Sequence, residues 1–311
     1  MKRQIFFLIL ILVCGLVNSS FAATAGTSSG QILKLGAGAR SAAMGDAFVA
    51  ATGDASVIFY NPAALGWQKE GSAIFTHSVW FESVNYDIAA VAVPVSDNIG
   101  VVGAGLQMLS YGSIDSWNNT GVSDGSFSPK DYVGMLSWGR KFHEKFSGGA
   151  QVKFISSKIT QTASTLAADL GVRGQLTEEL GLGFSAQNLG GKLKYINESE
   201  SLPSIYRLGA EYQIKHTASV YADCNTPTDG KVWFSLGGEY NHSFMDEKLR
   251  TALRAGYTTR LSDARNDSTF PVSFGFGIGY SQFGLDYAFA PYGDLGATHH
   301  IGLKYSWGEK K

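Results

Sequence analysis

Between Val272 and Phe289 the chain alternates with a strict period of two. Val272, Phe274, Phe276, Ile278 and Tyr280 take every second position, with Ser273, Gly275, Gly277 and Gly279 between them. Phe283, Leu285, Tyr287 and Phe289 repeat the arrangement around Gly284, Asp286 and Ala288. Successive side chains of a strand point to opposite faces, so one face of each strand is strongly apolar and the other small or polar. In a soluble sandwich the apolar face would form the core and the other would carry Lys, Glu and Thr. Here the other face is glycine-rich with isolated charges, so the apolar face requires an apolar medium outside the sheet. Extended backbone satisfies its hydrogen bonds in a membrane only as a closed barrel.

The same alternation recurs upstream and predicts an all-β transmembrane antiparallel β-barrel of about 14 strands. The expected strands begin near Ser72, Tyr86, Ile99, Lys130, Phe146, Thr165, Leu180, Ile205, Thr217, Val232, Leu249, Val272, Phe283 and Thr298. Composition agrees. Hydrophobic residues make up 44% of the 311, charged residues only 16%, and there are 38 glycines. No segment after the first residues has the ~18 consecutive apolar residues of a membrane helix. Lys plus Arg number 25 against 26 Asp plus Glu. A nucleic-acid binder would show a basic excess and a disordered tail a large net charge, so both classes are excluded.

The connections carry a second signal. Even-numbered strands end in tight links, Ser96-Asp97-Asn98, His143-Glu144, Thr177-Glu178-Glu179 and Ser281-Gln282. Odd-numbered ones end in longer polar stretches, Tyr111 to Pro129, Gly190 to Ser201, Asp223 to Gly230 and Leu261 to Phe270. Short turns on the periplasmic side and longer loops outside is the asymmetry of outer-membrane barrels. Asn241 to Lys248 breaks the rule. An even strand count places both termini in the periplasm.

Residues 1–22 read as a cleaved signal peptide: Met1-Lys2-Arg3 is basic, Ile5 to Val13 apolar, and Ser20-Phe21-Ala22 fits the cleavage pattern. Cleavage removes Cys14 and leaves Cys224 without a partner for an intrachain disulfide. Residues 23–70 are expected to form a plug inside the barrel of residues 71–311. The run Gly36 to Ala50 is too rich in small residues for a lipid-facing strand, Asp54 can cap a turn, and Asn61-Pro62 reads as an N-cap followed by proline at the first helical position. A periplasmic tail is the alternative.

By parity, Asp169, Arg173, Arg207, Glu211, Glu239, Arg250, Arg254, Asp286 and Lys304 point into the lumen. Their signs nearly cancel, which suggests paired charges bracing a filled lumen, with Arg40 and Asp46 of the plug as further partners. Trp80, Trp138, Trp233 and Trp307 fall near strand ends, where an aromatic girdle belongs. Pro94, with Gly103 and Gly105 on the neighbouring strand, marks the place where the wall could gap, although a proline at a strand end is the commoner arrangement.

The run from Leu35 through Gly38, Arg40, Met44, Gly45 and Asp46 to Asp54, then Asn61-Pro62-Ala63-Ala64-Leu65, resembles the N-terminal signature of the PorV/PorQ family, within the wider FadL-like group of outer-membrane proteins. The resemblance is specific over about residues 31–66. It implies a fourteen-stranded barrel whose N-terminal segment enters the lumen as a hatch. Better-known members of the family serve type IX protein secretion, while the FadL branch takes up fatty acids and other hydrophobic compounds. The end of the chain adds Gly302, Tyr305 and Trp307, which look like the assembly signal read by the barrel assembly machinery, although four residues follow Trp307.

Catalysis has little support. The six histidines are scattered, and alternation sends the adjacent His299 and His300 to opposite faces. No spacing assembles a nucleophile with a base and an orienting group. The Gly36 to Gly45 run lacks the Lys-Ser/Thr pair of a phosphate loop. Asp263, Asn266 and Asp267 share one loop but read as solvated polar residues. The expectation is a non-enzymatic outer-membrane protein of Gram-negative type with no cofactor and no metal. Secretion-associated function is the leading reading, and passive transport of hydrophobic small molecules the alternative. The expected partners are outer-membrane lipid, the assembly machinery, and either secretion subunits and exported proteins or a hydrophobic ligand, with no nucleic acid.

Overall fold

The computed structural model describes residues 28–82, 84–195, 198–215, 217–245, 248–260, 272–292 and 296–308. The expected signal peptide and the Asp263, Asn266, Asp267 loop lie outside them. Fourteen antiparallel strands close into one barrel, each hydrogen-bonded to its neighbours in sequence, with the first paired to the last. In chain order the strands are β1 (Gly71–Val79), β2 (Asn85–Ser96), β3 (Gly100–Ser110), β4 (Ile114–Trp117), β5 (Ser123–Phe127), β6 (Lys130–His143), β7 (Phe146–Lys158), β8 (Thr162–Gln175) and β9 (Leu180–Leu189). They continue as β10 (Lys192–Lys194), β11 (Ser199–Ser201), β12 (Ile205–Ile214), β13 (Ala218–Pro227), β14 (Trp233–Phe244), β15 (Leu249–Thr258), β16 (Val272–Tyr280), β17 (Phe283–Pro291) and β18 (Ala297–Trp307). The β4–β5 and β10–β11 pairs are small hairpins outside the barrel sheet, within the two longest described connections. The other fourteen strands begin within three residues of the expected starts.

Closure is made by β1 against β18, in register from Gly71↔Trp307 to Val79↔His299. Alternation fixes which face goes where. On β15, Leu253 is 64% exposed outward, while Arg254 beside it is 9% exposed inward. The apparent exception in the loop pattern disappears, because β14 runs on to Phe244 and leaves only 245–248 as its turn. Pro94 stands near the end of β2, where β2 and β3 stay paired from Asn85↔Ser110 down to Ser96↔Gly100, with a register shift after Pro94. A methyl group at Gly105 would meet Ile58 at 2.7 Å and Met135 at 2.9 Å, and one at Gly103 would meet Ile58 at 3.3 Å. These glycines admit packed side chains and leave no opening.

A barrel of eight strands is filled by its own side chains, whereas fourteen strands enclose a lumen roughly 28 Å across between backbones, too wide for that. Residues 28–70 pack against the inward faces of the strands. They form 3-10 turns at Gln31–Lys34, Ala55–Phe59 and Pro62–Trp67 and one short helix, α1 (Ala39–Ala43). Both ends of the barrel sheet, Gly71 and Trp307, lie at the short-turn mouth, but the segment does not stay there. Ser28, Gln31 and Lys34 all bond Asp229, in the connection after β13 at the opposite mouth. From there the chain descends past Tyr257 and Asp223 to Lys304 and Ser147, near the short-turn ends of β18 and β7.

Candidate functional site: the lining and filling of the lumen

The signature residues form the backbone of this segment. Gly38 has φ +116° and starts α1, while Gly45 and Asp46 both adopt φ +62° and reverse the chain after it. At Gly45 the backbone meets the wall so closely that a methyl group on the facing Gly256 would stand 2.1 Å from the Gly45 nitrogen. Met44 is fully buried between Gly237 and Gly256. Asp54 accepts from the Ser56 amide and caps the Ala55–Phe59 turn. Asn61 accepts from the Ala63 amide, with Pro62 in the first turn, and its side-chain amide donates to the carbonyls of Val49 and Val172. Pro62 and Ala63 sit against Gly149. At Gly139, Gly149, Gly183 and Gly256 it is main chain of the segment that packs against the inner face.

Charges gather on one side. Arg40 reaches Glu239 at 2.9 Å through both Nε and an η nitrogen and lies 3.6 Å from Asp54. Glu239 also accepts from Arg254 at 2.6 Å, Arg254 reaches Asp286 at 2.6 Å, and Lys304 approaches Asp54 at 3.3 Å. Burial alone would raise the Asp54 carboxyl, but Lys304 and Arg40, with the Ser56 bonds, outweigh it and hold Asp54 well below the usual carboxylate range. Next to this chain Arg173 pairs with Glu211 at 2.8 Å and donates to the Ala50 carbonyl. Arg207 bonds the Gln187 and Asn225 side chains. Arg250 donates to the Ser281 carbonyl at the short-turn rim. Among the described residues Asp46 makes no ion pair, and it accepts from the Tyr60 hydroxyl at 2.8 Å.

Three members of this arrangement were not singled out from sequence. Lys153 pairs with Asp169 at 2.7 Å, and Asp169 also receives the Gln151 amide and the Asn188 backbone amide. Asp223 accepts from two successive amides of the segment, Phe48 at 2.6 Å and Val49 at 3.0 Å. Lys153 and Asp223 each occupy an inward position by the parity that located the others. Asp229 lies in a connection, where parity gives no signal.

The other side of the lumen is apolar on its inward face too. Tyr86, Ile88, Ala90 and Ala92 of β2, Val101 and Leu109 of β3, Val133 and Met135 of β6, and Ile155 of β7 all point inward and are buried. They pack against Val57, Ile58, Phe59 and Leu65 of the segment. The hydrogen bonds tying the segment to the wall run to β1, β7, β8, β9, β13, β14, β16 and β18. Against β2, β3 and β6 it rests on apolar contact.

Two expected girdle tryptophans face elsewhere. Trp233 is buried inside the lumen, with the guanidinium groups of Arg207 and Arg260 over its ring at 5.7 and 5.3 Å. Trp80 packs with Phe81, Tyr86 and Tyr292 at the long-loop mouth. Trp138 and Trp307 do face outward, near the short-turn ends of β6 and β18. In the C-terminal signal, Tyr305 stacks on Trp307 with centroids 5.8 Å apart, while Gly302 faces inward beside Ala39. His299 bonds Tyr287 on the outer face and His300 bonds Ser78 on the inner one.

No family model and no curated protein sequence matches the chain. Solved structures do. The Pseudomonas putida toluene transporter TodX superposes with a TM-score of 0.61 at 13% identity, over 89% of this chain and 99% of that one. The Ralstonia pickettii toluene transporter TbuX gives 0.57 at 13% identity, over 87% and 97%. A Pseudomonas aeruginosa FadL homologue gives 0.52 at 12% identity, over 86% and 96%. At these identities the likeness establishes the architecture: this chain has the fold of the FadL-like outer-membrane barrels.

Proposed function

We propose that the protein is an outer-membrane, non-enzymatic channel for hydrophobic small molecules, with residues 28–70 as a plug. The observation that carries this reading is the division of the lumen. A molecule without hydrogen-bonding groups gains nothing from the charged side, where passage would break buried ion pairs. On the β2–β3–β6 side it exchanges one set of dispersion contacts for another, because Ile58 and Leu65 meet Met135 and Val133 there without a polar bond. The polar bonds on the far side hold the plug while its apolar flank yields. Solved barrels of this fold include toluene transporters and a monoaromatic hydrocarbon channel, which supports the same direction.

The test is uptake into proteoliposomes of two probes, a monoaromatic hydrocarbon and a long-chain fatty acid. Uptake above that of protein-free vesicles is expected for at least one, and Met135→Trp, which thickens the apolar flank, is expected to suppress it. Equal uptake with and without protein would end the proposal. A role in protein secretion has one specific support, the residue 35–65 signature. It would be favoured if deleting the gene caused exported proteins to accumulate in the periplasm while hydrocarbon and fatty-acid uptake stayed normal.

A further inference from the structure

At the short-turn mouth a groove of about 830 Å³ lies between the rim ends of β2, β6 and β18 and the 66–69 stretch of the segment. Val93 and Val95 of β2, Phe142 of β6 and Trp307 of β18 form its apolar sides. All four lie at outward positions, and Trp138 and Trp307 place this level at the membrane interface, where outward aromatics of a barrel gather. The groove curls over the rim to Lys69, Arg140 and Lys141.

Among the described residues no ion pair within 4.0 Å involves any of these three cations, although Asp97 and Glu144 also line the groove. The buried Nε of Arg140 has no hydrogen-bond partner. Lys141 lies 3.8 Å over the Trp67 ring, which also has the Arg173 guanidinium 4.5 Å from its centroid, so two like charges share one aromatic ring. The lumen treats its cations differently: Arg40, Arg173, Arg254, Lys153 and Lys304 each face a carboxylate.

We infer that this groove is a phospholipid site: the lipid phosphate sits among Lys69, Arg140 and Lys141, and an acyl chain runs along Val93, Val95 and Trp307. A lipid suits this groove better than a free anion, because outward apolar side chains and the three cations line it together. Position fits as well, since a membrane headgroup lies at the level the outward tryptophans mark. The inference rests on reading the chain as a membrane-spanning barrel but not on what passes through it.

Native mass spectrometry of the purified protein checks it, with a phosphatidylglycerol, a phosphate-free diacyl galactolipid and inorganic phosphate as probes. Retention of one phosphatidylglycerol, little galactolipid, and no displacement by millimolar phosphate are expected. Each interfacial cation contributes roughly fivefold to attraction of an anionic surface, so Arg140→Gln with Lys141→Gln is expected to lower retention about 25-fold. The heat-modifiable gel shift of the folded barrel should stay unchanged. Equal retention of the galactolipid by the unaltered protein, or full displacement by phosphate, would overturn the lipid assignment. So would unchanged retention by the folded double variant. A lost gel shift would instead count against the barrel itself, and the comparison of lipids on the unaltered protein needs no variant.

Discussion

The two sides of the lumen hold the same segment by opposite means. From β12 to β18 the wall presents guanidinium, ammonium and carboxylate groups, and the segment is fixed there by directional bonds such as Arg40 to Glu239 and Asp223 to two backbone amides. On β2, β3 and β6 the inward positions are mostly apolar, and the segment is held there by shape. A buried ion pair is costly to break from one side, because the surviving charge stays desolvated, whereas an apolar contact can be exchanged for another at little cost. One side of the barrel therefore suits anchoring and the other suits yielding.

This contrast breaks most sharply at Glu239, which faces Arg40 and Arg254 together. Glu239→Leu removes the carboxylate that Arg40 and Arg254 share and leaves them only Asp54 and Asp286, and a loss of about 3–5 kcal/mol is expected, measured as a lowered midpoint for heat-induced loss of the folded gel band. A change within error would show that the charged side does not anchor. Next comes the apolar flank. Ile58→Ala should cost about 2–4 kcal/mol by cavity formation and, unlike Glu239→Leu, should leave hydrocarbon uptake intact or faster. Loss of uptake in this variant would contradict a yielding flank.

Asp223→Ala removes the acceptor of two plug amides and is expected to cost about 1.5–3 kcal/mol. Hydrogen exchange should then rise at Phe48 and Val49 before it rises in the strands, and a uniform rise would mean that the bond braces the barrel and not the segment. Smaller still is the anchor at Asp229. Burial would raise its carboxyl, but bonds from Ser28, Lys34 and Gln31 hold it below the usual range. A carboxyl lowered in the folded state stabilises fully above its unfolded pKa and loses that contribution as pH falls through the lowered value. The difference in thermal midpoint between the native protein and Asp229→Asn should therefore be constant near neutrality and shrink only below about pH 4. A difference that instead grows on acidification would refute this anchor.

Strand number and strand starts were readable because lipid and lumen impose opposite demands on alternate residues, and that demand is written into each strand locally. The same parity places Arg254 and Asp286 inward without any knowledge of the fold. It assigned no face to β2, where Tyr86, Ile88 and Ala90 are inward while Ala89, Val91 and Val93 are outward. With both faces apolar, alternation carries no contrast there. The girdle reading of Trp233 failed because it rested on nearness to a strand end alone, whereas the parity it shares with Glu239 places it inward.

By itself, then, the sequence determined the barrel, its strand count and the sidedness of its charged strands, since each is a consequence of residues one or two positions apart. Only the tertiary structure decided which charges meet. Arg40 and Glu239 stand 199 positions apart in the chain, and nothing local distinguishes Glu239 from Asp286 as the partner of Arg40. It also decided that the segment begins at the long-loop mouth, because that depends on Asp229 reaching Lys34 across the closed barrel. The division of the lumen into an anchoring and a yielding side has the same origin. It arises where closure sets the inward faces of distant strands around one stretch of chain.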